Sequence, residues 1–394
     1  MTLMRAERQE IPAQPHRYVP DTVVGDVCAE LFASLPRSDQ RHKGELYVRG
    51  LLRAQGRKSV RNIAAYVGGR AAEQSLHHFV ASSTWDWAPV RAALAKHVER
   101  TMEPKAWVVL PMVISKAGTE SVGVEPRFVS GLGQVVNSQQ AFGVWAVDDD
   151  HGCPVNWRLA LPPKWRENVR SVSPHIPRSE LAAGPLECVA RAARQLQGWA
   201  GPPRRPVVLD LKDAEPAAVA RRFHAAGLPF LCAVRGSAQV QCSDPALPGA
   251  EGRPMAAHRL LLMARTLRRP VTWTDPVTRV SGTSLVAGVR VTLGAGTRPV
   301  LLLGEWTDPR GWPQHHWISS LGPMSLGAQL RLARTTRTVD ADFTRVSVPV
   351  GLTDFSGRSY EGWHRHTTLA SVAHAVRLLT SDVRNGEPMM TRPA

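Results

Sequence analysis

No two cysteines in this chain stand at the spacing of a zinc ligand set. The five present (Cys28, Cys153, Cys188, Cys232 and Cys242) are scattered, form no CxxC pair, and by their odd number do not read as a disulfide framework. Free, mostly buried thiols in a reducing cytoplasm are expected instead. No apolar run follows a basic start, so no signal peptide is expected. No window reaches about 18 consecutive apolar residues, so nothing should span a membrane. Acidic side chains are also few: 33 Asp and Glu face 49 Lys and Arg, a formal net charge of +16. Such an excess points to an anionic partner, nucleic acid first and a membrane surface second. An arginine-rich, high-GC coding sequence is the bland account of the same charge.

What is present is a folded composition, 43% hydrophobic and 21% charged, in a chain long enough for two or three domains or one with a large insertion. Residues 1–20 read as a loose arm. From Asp21 to Pro104 the apolar residues recur at helical spacing in five segments, with Ser59 a cap and Gly68-Gly69 a terminator. After Pro104 the pattern becomes strand-like, over 106–110, 119–124, 134–147 and 155–161, followed by a helix from about 179 to 200. "RPVVLDLKD", "AEPAAVARRFHAAG" and "LPFLCAVRG" then predict a βαβ unit, placing an α/β core at 105–235. Residues 236–310 carry short strands between glycine and proline turns and read as a β-rich insertion, not as more of that core. Helices return over 311–383, and 384–394 is a frayed tail.

The strand 106–110 ends in a loop, Pro111 to Ser115, that offers no carboxylate before Lys116 and Gly118. Elsewhere acids do stand at strand ends. Asp210 closes a core strand, a usual ligand position, and Asp213 follows; a turn residue and a helix cap are the plain alternatives. Asp340 and Asp342 lie on a predicted helix, where an exposed face is the simpler account. Asp148, Asp149, Asp150 and His151 read as a hairpin turn before they read as a metal site. His315-His316 and the run Trp363, His364, Arg365, His366 lack a second ligand pair. In the helical region Arg41, His42, Lys43, Arg49, Arg53, Arg57, Lys58 and Arg61 cluster near helix starts, as phosphate contacts would, or as a solvated basic face would.

Five collinear segments carry a resemblance: "DQRHKGELYVRGLLRAQGRKSVRNIAAYVGG", "QSLHHFVASSTWDWAPVRAAL", "KAGTESVGVEPRFVSGLGQVVNSQQAFGVWAV", "PVNWRLALPPKW" and "FSGRSYEGWHRHTTLASVAHA". Together they resemble insertion-sequence transposases of the DDE superfamily over about residues 25–380. The resemblance implies a ribonuclease H-like α/β core with a β-rich insertion, preceded by an all-α DNA-binding region at 21–104. It also implies three carboxylates holding two Mg²⁺ ions, one activating the attacking oxygen and one stabilising the leaving oxygen.

Carried onto this chain, the family's opening Asp-Asp falls on Leu110 and Pro111, while Lys116 and Gly118 match its Lys-x-Gly. The second Asp matches Asp210, and the Glu falls on Asp340. The family's Arg before that Glu becomes Thr336, and its Lys beyond it becomes Ser347. The implied remnants are thus Asp210, Asp340 and Lys116, with Asp210 and Asp340 weak metal ligands at best. The expected protein is a transposase-derived DNA-binding factor or regulator deficient in cleavage and strand transfer. No cofactor is expected, or Mg²⁺ where activity persists; a homodimer stays open. Two rivals are an active nuclease recruiting Asp148–Asp150 or Asp213, and a fold redirected to small-molecule chemistry through Lys116, His151 or Asp210.

Overall fold

The computed structural model describes residues 4–5, 19–129, 133–167, 176–181, 183–250 and 252–382. Most of the arm at 1–20 and all of the tail at 384–394 fall outside the described residues. Five helices open the chain: α1 (Asp21–Leu31), α2 (Ser38–Arg53), α3 (Val60–Val67), α4 (Gly69–Ala81) and α5 (Trp87–Met102). Ser59 caps α3 by accepting from the Asn62 amide, and Asp86 caps α5. These helices wrap the C-terminal helix α12 (Tyr360–Asp382), and their apolar stripes join one continuous core with it and the sheet. Residues 21–104 are therefore not a free-standing body.

The sheet is built on β2 (Ala106–Ser115). On one side lie β4 (Gln134–Val147) and β5 (Gly152–Ala160), antiparallel; on the other lie β6 (Val207–Leu209) and β7 (Phe230–Ala233), parallel. A two-residue strand, β1 (Met4–Arg5), pairs with Met112 and Val113 of β2. Helices α8 (Pro185–Ala200) and α9 (Pro216–Ala225) supply the crossovers around β6, and short turns α6 (Pro163–Glu167) and α7 (Arg178–Leu181) precede them. This is the α/β, ribonuclease H-like core the resemblance implied.

Three expectations are corrected. First, β2 does not end at Leu110 but runs to Ser115. The Trp107 amide donates to Pro206 and the Asp210 amide reaches Val109 O, so odd-numbered residues face β6. Pro111 therefore turns its missing N–H to the side where β6 has already stopped at Leu209, and the ladder to β4 is unbroken. Second, 119–124 is a loop, and the strand is β3 (Glu125–Val129); Gly123 holds φ +77, which a continuing strand cannot. Third, the helix expected over 179–200 breaks at Gly184, and α8 starts on Pro185.

The β-rich insertion of 236–310 is present, and its strands extend the same sheet beyond β7. They are β8 (Gln239–Cys242), β9 (Pro254–Ala256), β10 (Arg269–Thr274), β11 (Ser281–Thr292) and β12 (Val300–Trp306), interrupted by α10 (Ala257–Met263). Strand β13 (His315–Ser319) pairs antiparallel with both β12 and β7, so one sheet runs from β5 through to β9. Helix α11 (Leu326–Asp342) lies across the face of β2, β6 and β7 and carries Asp340 toward the end of β6.

Candidate active-site cleft

Asp210 leaves β6 at the carboxyl end of a buried strand and is 5% exposed. The register Val108↔Val208, Val109↔Leu209 puts Leu110 level with Asp210 on the same sheet face, and Leu110 is wholly buried. Asp340 and Asp210 line one cleft of about 490 Å³. The structure thus places Asp210 and Asp340 in one cleft, with the Leu110 position level with Asp210 in the sheet. Asp210 Oδ1 is buried without a hydrogen-bond partner, with Lys212 Nζ at 3.7 Å.

Burial first, and the Asp210 charge second, push the Asp340 carboxyl from 3.8 up to about 7, against the pull of Arg337 and Lys212. A carboxyl with a raised folded pKa binds more protons folded than unfolded. Its contribution is fully present below about pH 4 and is lost as pH rises to about 7. Asp340→Asn should therefore add about 2 kcal/mol of stability at pH 8, allowing for partial exposure, and little at pH 4. Urea denaturation at the two pH values checks this; equal effects at both would show that Asp340 titrates normally.

The cations of the cleft carry no motif in the sequence. Four line the cleft: Lys212, Arg235, Arg334 and Arg337. Arg334 pairs with buried Glu305 and stacks 3.5 Å from the Trp273 ring centroid. Arg337 reaches Asp275 at 2.7 Å. His316 is pushed down to about 4 by burial, then by His258 and His315, so it adds no charge. Thr336, where the resemblance implies Arg, faces the cleft and donates to Ala333 O, but the next residue, Arg337, supplies a guanidinium there. Ser347 is buried and bonded to His374 Nδ1 at 2.8 Å, so that position serves the core.

Other assignments are corrected. Lys116 is not in this cleft. It follows the last residue of β2, about 20 Å of extended chain from Leu110, in a separate pocket. Asp148 Oδ1 accepts from the amides of Asp150 and His151, both at 2.7 Å, closing the turn between β4 and β5. That turn lies level with Ala106, about 13 Å along β2 from Leu110, so Asp148, Asp149 and Asp150 do not replace the missing acid. Asp213 is tied to Arg235. His151 faces Asp342, whose carboxylate takes the Gly152 amide at 2.7 Å. Trp363, His364, Arg365 and His366 are buried in α12.

The basic cluster is mostly engaged inside the molecule. Arg49 pairs with Asp21 and Glu45, Arg53 with Asp21 at 2.7 Å, Lys43 with Asp39 at 3.0 Å, and Arg41 donates to Leu35 O at 2.6 Å. Lys58 is buried with its ammonium on Ala54 O, which corrects its assignment as a phosphate contact. Of the set, His42, Arg57 and Arg61 are exposed.

Residues 30–299 match a family model described as DDE superfamily endonuclease. No curated protein matches the chain.

Proposed function

This chain belongs to the DDE superfamily of endonucleases, and on that premise we propose that it binds duplex DNA without cutting it and acts as a transposase-derived regulator. The observation that carries the reading is Leu110, a buried hydrocarbon level with Asp210 where the chemistry needs a carboxylate. The family's divalent cations find a poor donor set here. Asp210 Oδ1 is free to ligate, but Asp340 holds its proton up to about pH 7. Among the described residues no group of three or more His, Cys, Asp or Glu side chains could hold a metal ion. Two carboxyls, one half-protonated at neutrality, do not offset two dications.

Lys212 is the least engaged of the cleft cations, 3.7 Å from Asp210, and offers phosphates a charge even so. One titration tests the proposal: duplex DNA followed by fluorescence anisotropy across salt, with the same samples run on gels after Mg²⁺ or Mn²⁺. Binding with a steep salt slope and no cleavage is expected. Lys212→Gln should weaken binding several-fold and flatten the log–log salt slope by about 1. Arg49→Gln with Arg53→Gln should change affinity less than about twofold, because Asp21 and Glu45 already hold those groups. Metal-dependent cleavage abolished by Asp210→Ala would make the chain an active nuclease. Absence of affinity at low salt would remove DNA as the partner.

A further inference from the structure

A second pocket, about 500 Å³, opens at the far end of β2, between the β2–β3 loop and residues 353–356. Arg57 and Lys116 are its cations, and Asp354 is its one carboxylate. The hydroxyls of Ser115, Ser121, Thr353 and Ser356 also line it. Lys116 is half-buried, and its Nζ donates to Phe355 O at 2.6 Å. An ammonium has three donors, so two stay available to the pocket. Arg57 is exposed, and among the described residues its guanidinium has no hydrogen bond or ion pair. Asp354 is committed elsewhere, its Oδ2 accepting from the Lys58 amide at 2.7 Å.

Like charges gathered in a half-buried pocket repel each other and gain nothing for the fold. Here burial first, and Arg57 second, push the Lys116 ammonium down to about 8, with Asp354 only partly opposing. An anion between the two cations would reverse the repulsion. A phosphate monoester suits the site best, because it carries up to two charges and three terminal acceptors for two cations and several hydroxyls. The volume holds a molecule of nucleotide size. A phosphodiester on a duplex surface would have to leave its helix to reach a half-buried amine.

We propose that the pocket of Arg57 and Lys116 binds the phosphate monoester of a small molecule, at a site separate from the Asp210–Asp340 cleft.

Pyridoxal 5′-phosphate is the probe. A neutral lysine amine adds to its aldehyde, water leaves, and hydride from borohydride fixes the imine as a secondary amine that peptide mass mapping locates. Labelling is expected to saturate at Lys116, to fall about tenfold with pyridoxal, which lacks the phosphate, and to be blocked by inorganic phosphate. Arg57→Gln should lower phosphate-directed labelling about tenfold while Lys116 is still methylated by formaldehyde and borohydride, which shows the amine in place. Equal labelling by pyridoxal, label spread over other lysines, or no protection by phosphate would overturn the proposal. Protection by duplex DNA where inorganic phosphate gives none would overturn it too, and would assign these cations to a nucleic-acid backbone.

Discussion

Leu110→Asp is expected to cost the fold about 4 kcal/mol when divalent cations are chelated, and to regain about 2 kcal/mol of it in millimolar Mn²⁺. The cost follows from the site. Residue 110 is wholly buried in the centre of β2, and the new carboxyl would stand level with Asp210 and share its face with Asp340. Asp340 already retains its proton because of burial and Asp210, so a third acid adds to an existing repulsion. The recovery follows from linkage: an ion at about a hundred times its Kd stabilises the folded state by about 2.7 kcal/mol, provided the unfolded chain does not bind it. Three carboxyls make a donor set that two do not.

Urea denaturation in EDTA and in Mn²⁺ reads both halves, with the unaltered chain as reference. The unaltered chain should show no Mn²⁺ effect. If it is stabilised as much as the variant, Asp210 and Asp340 already hold metal and the reading of a disabled centre fails. If the variant gains nothing from Mn²⁺, residue 110 lies out of reach of the other two. Cleavage is not expected to return with the one substitution, since the Ser347 position is absorbed into the core.

The contrast between the two acids and Lys116 shows where sequence reasoning stops. The shared placement of Asp210 and Asp340 was legible because a motif match fixes which strand and which helix carry them, and the parallel β6 and the overlying α11 then bring them to one cleft. Lys116 belongs to the same short motif as Leu110, yet an extended strand separates residues six apart by about 20 Å. Chain proximity had stood in for spatial proximity. The basic cluster misled for a related reason: the partners of Arg49 and Arg53 include Asp21, on a different helix. Periodicity disclosed the helices, but not that β13 would join β12 to β7, because that pairing links Trp317 to Ala233. Pairings so far apart in sequence leave no local pattern to read.

Arg91 was invisible to any pattern, and its removal is the second large effect expected. It sits on α5, 2% exposed, and among the described residues no carboxylate pairs with it. Nε donates to Thr368 Oγ1 at 2.7 Å, Nη1 to Trp157 O at 2.9 Å and Asn156 Oδ1 at 3.2 Å, and Nη2 to His364 O at 3.0 Å and Thr367 Oγ1 at 3.1 Å. Burial disfavours the guanidinium charge and pushes its pKa down to about 9, and Arg158 adds to this. Only a full set of acceptors makes such a cation tolerable.

The fork ties α5 and β5 to α12, and α12 in turn supplies His374, which holds both Ser347 and Gly152 O at the end of α11. Gly152 N binds Asp342, two residues beyond Asp340. The same clamp therefore anchors the frame on which the cleft acid rides. Arg91→Ala should lose about 4 kcal/mol in urea denaturation, because the Trp157 and His364 carbonyls are left buried without that donor. Arg91→Met should lose less, since it keeps volume and removes the charge whose desolvation opposed folding. Hydrogen exchange should show α12 amides loosening first in both variants. A loss below about 1.5 kcal/mol for Arg91→Ala would place the weight on packing around the arginine stem, not on its hydrogen bonds.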